Sequence, residues 1–244
     1  MSKNGKREIS AAIVGGGFGG VGAAIKLLEA GITDLTIFER NDGVGGVWQA
    51  NSYPGAACDV PSHLYSFSFA PGTEWSRRYA PQADIEQYLN HLVDDYGVRP
   101  HLRCNTAVES ARFDGEKKSW HVQSSDGQAR HFDILISACG QLSNPSIPEL
   151  DGIEQFKGAS FHSANWDHDY DFTGKRVAVV GTGASAIQFV PEVAKQAAHV
   201  DIYQRSAPWI LHKFDRQYAA WEKRFFKRFP LRVNLSRRFF FSAF

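Results

Sequence analysis

Twice along this chain a short apolar run meets a cluster of glycines and gives way to a helical repeat. Residues 9–14, ISAAIV, are apolar, brief and bounded by glycine, the pattern of a strand buried in a parallel sheet. Gly15-Gly16-Gly17-Phe18-Gly19-Gly20 follows at once. Residues 21–30, VGAAIKLLEA, predict a helix stopped by Gly31, and LTIFER predicts a second strand with Glu39 at its end. The order returns at residues 176–180, RVAVV, which run into Gly181-Thr182-Gly183-Ala184-Ser185-Ala186. A helix follows, kinked where Pro191 removes a backbone donor, and then the strand HVDIYQR, ending at Arg205.

The stretch between the two repeats mixes both periods. Pro81–Tyr96 predicts a helix with Ile85, Tyr88, Leu89 and Leu92 on one face. Alternation predicts a short strand near Arg103, then strands over 107–113, 119–123 and 130–137, with hairpin turns at Asp114-Gly115 and Asp126-Gly127. DILISACG, 133–140, reads as a buried strand whose small terminal residues leave room for a ligand. Asn144–Pro148 is a linker, so a boundary is expected there. This gives 1–145 and 146–212 as two nucleotide-binding regions and 213–244 as the start of a helical region.

Glycines at this spacing let a backbone approach a diphosphate closely, and the following helix N-terminus attracts its charge. The first cluster fits GxGxxG and the second GxGxxA, each set between a strand and a helix. That predicts an α/β fold with two Rossmann-like dinucleotide-binding domains. Gly15 to Glu39 and Gly181 to Arg205 are the same distance apart in sequence, so one slot holds an acid and the other an arginine. An acid accepts from ribose hydroxyls and repels a 2′-phosphate; an arginine welcomes one, with Ser206 a further donor. The first site is therefore expected to take FAD or NAD, and the second NADPH.

Two other stretches carry candidate chemistry. Residues 43–60, GVGGVWQANSYPGAACDV, predict a loop lying flat against a ligand, with Trp48 and Tyr53 able to pack on it. Asp59 is the one acid there, either a turn residue or a functional carboxylate with a basic partner. His63 and Tyr65 read as packing. The connector FKGASFHSANWD, 156–167, places Gly158 for a tight bend and sets His162 and Trp166 between the two glycine motifs.

Charge alters the picture only at one end. From Lys213 onward there are nine Lys/Arg against two Asp/Glu, leaving eighteen against twenty-four in the rest, out of 27 and 26 overall. The net charge of +1 gives no argument for nucleic acid. The basic, aromatic tail reads as a membrane-surface helix or, better, as the start of the helical region, because Pro230 interrupts it. Cys58, Cys104 and Cys139 show neither CxxC nor CxxxxC, so no metal site and no redox disulfide is expected, and a flavin disulfide reductase is disfavoured. Their usage suits a reducing compartment, and the N-terminus shows no signal peptide, so a cytoplasmic protein without integral membrane association is expected.

With these residues in place, the chain resembles the flavin-dependent class B monooxygenases of the Baeyer–Villiger type. The connector matches the pattern FxGxxxHxxxW[PD], and Gly45-Gly46-Val47-Trp48 through Tyr53-Pro54-Gly55 to Asp59 matches [AG]GxWxxxx[FY]P[GM]xxxD. The resemblance implies that NADPH reduces FAD, that the reduced flavin takes up O2 as a C4a-peroxyflavin, and that one oxygen enters a ketone to give an ester or lactone. Sulfur or nitrogen oxidation is the alternative, as is a truncated nucleotide-binding module without oxygenation. By position it assigns Gly15, Gly17, Phe18, Gly20, Glu39, Val47, Trp48, Tyr65 and Val108 to FAD, and Gly181, Thr182, Gly183, Ser185, Ala186, Arg205 and Ser206 to NADPH. Asp59 would hold an arginine near the flavin, while His162 and Trp166 would couple domain movement. The chain stops at Phe244, at about half the family's length, so it is expected to be a fragment that lacks that arginine and leaves Asp59 without its partner. Neither the ketone nor the oligomeric state follows from the sequence.

Overall fold

The computed structural model describes residues 8–243; the polar residues 1–7, read for the absence of a leader, lie outside it. The chain divides into two compact units. One comprises the residues up to Gln49 together with Glu86–Asn144, the other Ala50–Ile85 together with everything from Pro145.

The first unit is built on a four-stranded parallel sheet. β1 (Ser10–Val14) lies between β2 (Asp34–Phe38) and β7 (Ile134–Ser137), and β3 (Leu102–Arg103) extends the edge beside β2. Helix α1 (Phe18–Glu29) links β1 to β2. Ala11, Ala12 and Ile13 are fully buried, as are Val21 and Ala24 of α1, as expected of a central parallel strand and the helix that crosses over it. α1 begins three residues before the apolar periodicity does, because Gly17 already serves as its N-cap. Helix α3 (Gln82–Asp95) follows its predicted span closely and buries Leu89, Leu92 and Val93.

A second, antiparallel sheet in this unit joins β4 (Val108–Asp114), β5 (Ser119–Ser124) and β6 (Ala129–Phe132) in that order. The overlapping predicted strands 130–137 and 133–140 resolve into two that share no residue and lie in different sheets. Asp133 separates them: its N–H donates to Ser10 O at 3.1 Å, and its Oδ2 accepts from Ser10 N–H at 2.9 Å. The chain thus leaves one ladder and enters the next across a single residue. Phe132, Val122, Phe38 and Ala12 form one buried cluster, flanked by Val108, Trp120 and Leu135, that packs the two sheets together. Emptying that cluster with Phe132→Ala would cost roughly 3–5 kcal/mol.

The second unit carries two parallel strands, β8 (Arg176–Val180) and β9 (His199–Tyr203), connected through α4 (Ala184–Val193) with Pro191 inside it. Residues 50–85 run mostly without regular structure. They are tied down by α5 (Ala220–Arg228) and α6 (Pro230–Ala243), which confirm helices in the basic tail. Arg237 donates to the carbonyls of Leu64 and Ser66, Lys227 pairs with Glu74 at 2.6 Å, and Arg77 pairs with Asp215 at 2.6 Å. Pro230 opens α6 at its first position, where a missing N–H costs nothing. Among the described residues no helix is long and apolar enough to cross a membrane.

Candidate functional site

Each glycine turn is built by the same backbone bonds. Gly15 N–H donates to Phe38 O at 2.8 Å, and Gly181 N–H donates to Tyr203 O at 2.8 Å, so each turn is anchored to the end of the neighbouring strand. Gly15 stands at φ +108° and Gly181 at φ +107°, a region closed to side chains. Val21 N–H then donates to Gly17 O at 2.9 Å, and Ile187 N–H to Gly183 O at 3.2 Å, opening α1 and α4. Gly17 and Gly183 are the N-caps, and neither helix has a side-chain cap. Both helices therefore present their first amides and the positive end of their dipole to any anion seated there.

What surrounds the two turns differs. A Cβ on Gly15 would sit 2.5 Å from Ala138 O, at the end of β7, whereas one on Gly181 or Gly183 would meet nothing within 4 Å. The loop after β2 also closes on the first turn. Gly45 N–H donates to Gly16 O at 3.1 Å, and a Cβ on Gly46 would lie 3.0 Å from Gly17 Cα. The glycine-dense loop thus packs on the glycine turn itself. Val47 and Trp48 follow in a short helix, α2 (Val47–Ala50), that the sequence did not suggest. Phe18 packs near Tyr88, with ring centres 6.1 Å apart. Gly20 is buried against Gly15 O, where no side chain fits.

The strand-end residues separate the turns most sharply. Glu39 is 4% exposed; its Oε2 accepts from Gly16 N–H at 2.7 Å and its Oε1 from Asn41 N–H at 2.9 Å. Arg205 and Ser206 are both exposed, two and three residues past β9. Ala186 is buried in α4, and Thr182 and Ser185 are half-buried. Val108 lies at the start of β4 among the hydrophobic cluster, and Tyr65 belongs to the second unit, where its N–H donates to Pro61 O at 3.0 Å.

A polar knot surrounds Asp59 in the second unit. Asp59 Oδ1 lies 3.3 Å from Lys213 Nζ and 3.4 Å from Gln188 Nε2. The expectation that Asp59 is left without a partner is corrected: Lys213, brought back by the segment after β9, supplies the positive charge. Lys213 also stands over the Tyr79 ring, 5.1 Å from its centre. Neighbouring Cys58 is buried, which pushes its thiol up to about 11 and keeps it protonated and unreactive.

The connector residues occupy the same unit. His162 caps a single 3-10 turn, its Nδ1 accepting from Ala164 N–H at 3.0 Å, so the neutral ring carries its proton on Nε2. Trp166 closes that turn and packs among Phe161, Phe172 and Phe189, the last with ring centres 5.2 Å apart. Gly158 has no positive φ. The chain bends at this residue, as the sequence predicts, and a Cβ there would meet the tip of the exposed Phe156 ring at 2.6 Å. His63, read as packing, is packing: it is 2% exposed, stacked on Tyr218, and burial lowers its pKa to about 4. Among the described residues no group of His, Cys, Asp and Glu could hold a metal ion.

Two uncapped glycine turns, each between parallel strands and followed by a helix, define a chain of tandem dinucleotide-binding architecture. The family model for flavin-binding monooxygenase-like proteins matches residues 8–240, and the chain belongs to that family. It is 45% identical to a Baeyer–Villiger monooxygenase of Streptomyces coelicolor over 94% of its own length, and 48% identical to one of Pseudomonas aeruginosa over 95%. In both cases it spans 44% of the relative's length. Among solved structures it resembles the OTEMO complex with FAD and NADP, at 33% identity and a TM-score of 0.84, over 91% of this chain and 43% of that one.

Proposed function

We propose that this chain provides the two nucleotide cradles of an FAD- and NADPH-dependent Baeyer–Villiger monooxygenase acting on a small ketone with O2. The observation that carries the reading is the pair of matching turns with opposite charges at the strand ends, buried Glu39 against exposed Arg205. Region 1–145 is assigned to FAD, 146–212 to NADPH and 213–244 to the beginning of the helical region. The uncapped helix starts fit the two diphosphates.

In this reading the turn takes the FAD diphosphate at the start of α1: Gly15 and Gly20 let turn and helix pack closely, and Gly17 and Phe18 open the helix whose first amides face it. Each Glu39 oxygen, already accepting one backbone N–H, keeps a lone pair for a ribose hydroxyl. Val47, Trp48, Tyr65 and Val108 complete the FAD assignment. Gly181, Thr182, Gly183, Ser185 and Ala186 seat the NADPH diphosphate at α4, while Arg205 and Ser206 take its 2′-phosphate. FAD held at the first turn would supply hydride acceptance and O2 activation, chemistry no side chain here supplies. Asp59, His162 and Trp166 are assigned to holding charge and coupling movement near the reacting centre. The three free thiols support a cytoplasmic setting.

Flavin uptake and dinucleotide preference test this directly. The purified chain is expected to bind FAD and to prefer NADP+ over NAD+, and Arg205→Glu should lower NADP+ affinity by about tenfold or more. A colourless protein that refuses added FAD, or one that prefers NAD+, refutes the assignment.

A further inference from the structure

Gln188 satisfies four polar atoms of one loop. Its Oε1 accepts from Tyr53 Oη–H at 3.1 Å and Ala57 N–H at 3.3 Å; its Nε2 donates to Ala57 O at 2.9 Å and to Asp59 Oδ1 at 3.4 Å. The two bonds to Ala57 are reciprocal, as in a strand pair. The loop also meets the helix backbone at this residue: Gly55 stands at φ +80°, and a Cβ there would lie 2.6 Å from Gln188 O. Nothing in the motif patterns singles Gln188 out.

Its place in the helix gives these bonds a direction. Gln188 lies four residues after Ala184, the first residue of α4, so about one turn separates it from the uncapped N-terminus. Between them the helix has no break; Pro191 comes later. Anything that fixes Gly181–Ala186 also fixes the position of Gln188. Phe189, the next residue, packs against both Tyr53 and Trp166, so the loop and the connector grip α4 at consecutive residues. A neutral amide is the side chain that can both donate to Asp59 and accept from Tyr53 and Ala57.

We propose that Gln188 is a positioning residue that ties Asp59 to the second glycine turn, so that a dinucleotide seated there steadies the loop 53–59. The inference rests on the reading of that turn as the NADPH site. Lys213 supplies the charge Asp59 needs, and Gln188 supplies the link to occupancy. Asp59 is 58% exposed, so without these two donors little else holds its side chain.

Hydrogen exchange of the whole chain, with and without NADP+, tests it. In the unaltered protein NADP+ is expected to slow exchange over 181–187 and also at 55–59, the Ala57 amide by about tenfold. Gln188→Ala should keep the slowing over 181–187 and lose it at 55–59. Gln188→Glu keeps the acceptor but sets a second carboxylate beside Asp59, and should behave likewise; it serves if the alanine variant fails to fold. Retained slowing at 55–59 in both variants overturns the proposal, as does slowing over 181–187 alone in the unaltered protein. Absence of slowing at either segment overturns the nucleotide reading of the turn and the coupling with it.

Discussion

Gly15 and Gly181 share the same φ to within a degree, and yet alanine should not be equally costly at the two positions. At φ near +108° any side chain is strained, which costs about 1–3 kcal/mol at each site. Gly181→Ala meets nothing further within 4 Å. Gly15→Ala also drives its methyl to 2.5 Å from Ala138 O, a backbone atom held in place because Ala138 N–H donates to Val14 O. Relieving that overlap requires β1 and the end of β7 to part, adding roughly 1–3 kcal/mol. The predicted difference is about 2 kcal/mol, equivalent to roughly thirtyfold in local opening. Because the chain has two units, one global unfolding curve would blur the comparison. Native-state hydrogen exchange, read over β1 and α1 for one variant and over β8 and α4 for the other, resolves each separately. Equal loss of protection at the two sites would refute the claim that the Ala138 wall distinguishes them.

Three more outcomes follow from the same structure. Glu39→Ala leaves the Gly16 and Asn41 amides without their acceptor and should lower local stability by about 2–4 kcal/mol, with loss of FAD retention, measured by exchange and by the flavin absorbance after gel filtration. Burial depresses the His63 pKa from 6.5 to about 4, so the folded form resists a proton that the unfolded chain accepts. That stability is full above pH 6.5 and is lost as pH falls through 4, by up to about 3 kcal/mol; pH-dependent exchange in α6 should show it, and His63→Phe should flatten it. Arg216 holds the Glu222 carboxylate down to about 2, so its contribution is present above pH 4.5 and fades toward pH 2, a slope that Glu222→Gln should remove from the α5 exchange profile.

The two strand–turn–helix repeats were legible because everything that shapes them is local: apolar runs, glycines and a strand end a fixed distance on. α3 was legible for the same reason, through its one apolar face. The dividing point at Asp133 was only half legible: the predicted spans 130–137 and 133–140 overlap, and the boundary is set by Asp133 bonding Ser10, 123 residues earlier. The surroundings of Asp59 were beyond reach for a similar reason. Its donors lie 129 and 154 residues away, and a glutamine in an amphipathic helix carries no sign of what it will hold.

The clasp between Asp133 and Ser10 also sets what the chain can tolerate. β7 pairs with β1 from Ala11–Ile134 to Val14–Ser137, starting just past this clasp, and its end supplies the wall behind Gly15. Changes in length at 115–118, the outer tip of the antiparallel meander, stop at that clasp, whereas the 125–128 tip is tied through Asp126 and Gln128 to Arg103 of β3, whose carbonyl accepts from Glu39 N–H. The 115–118 tip can therefore be lengthened, shortened or tagged while the first cradle keeps its shape.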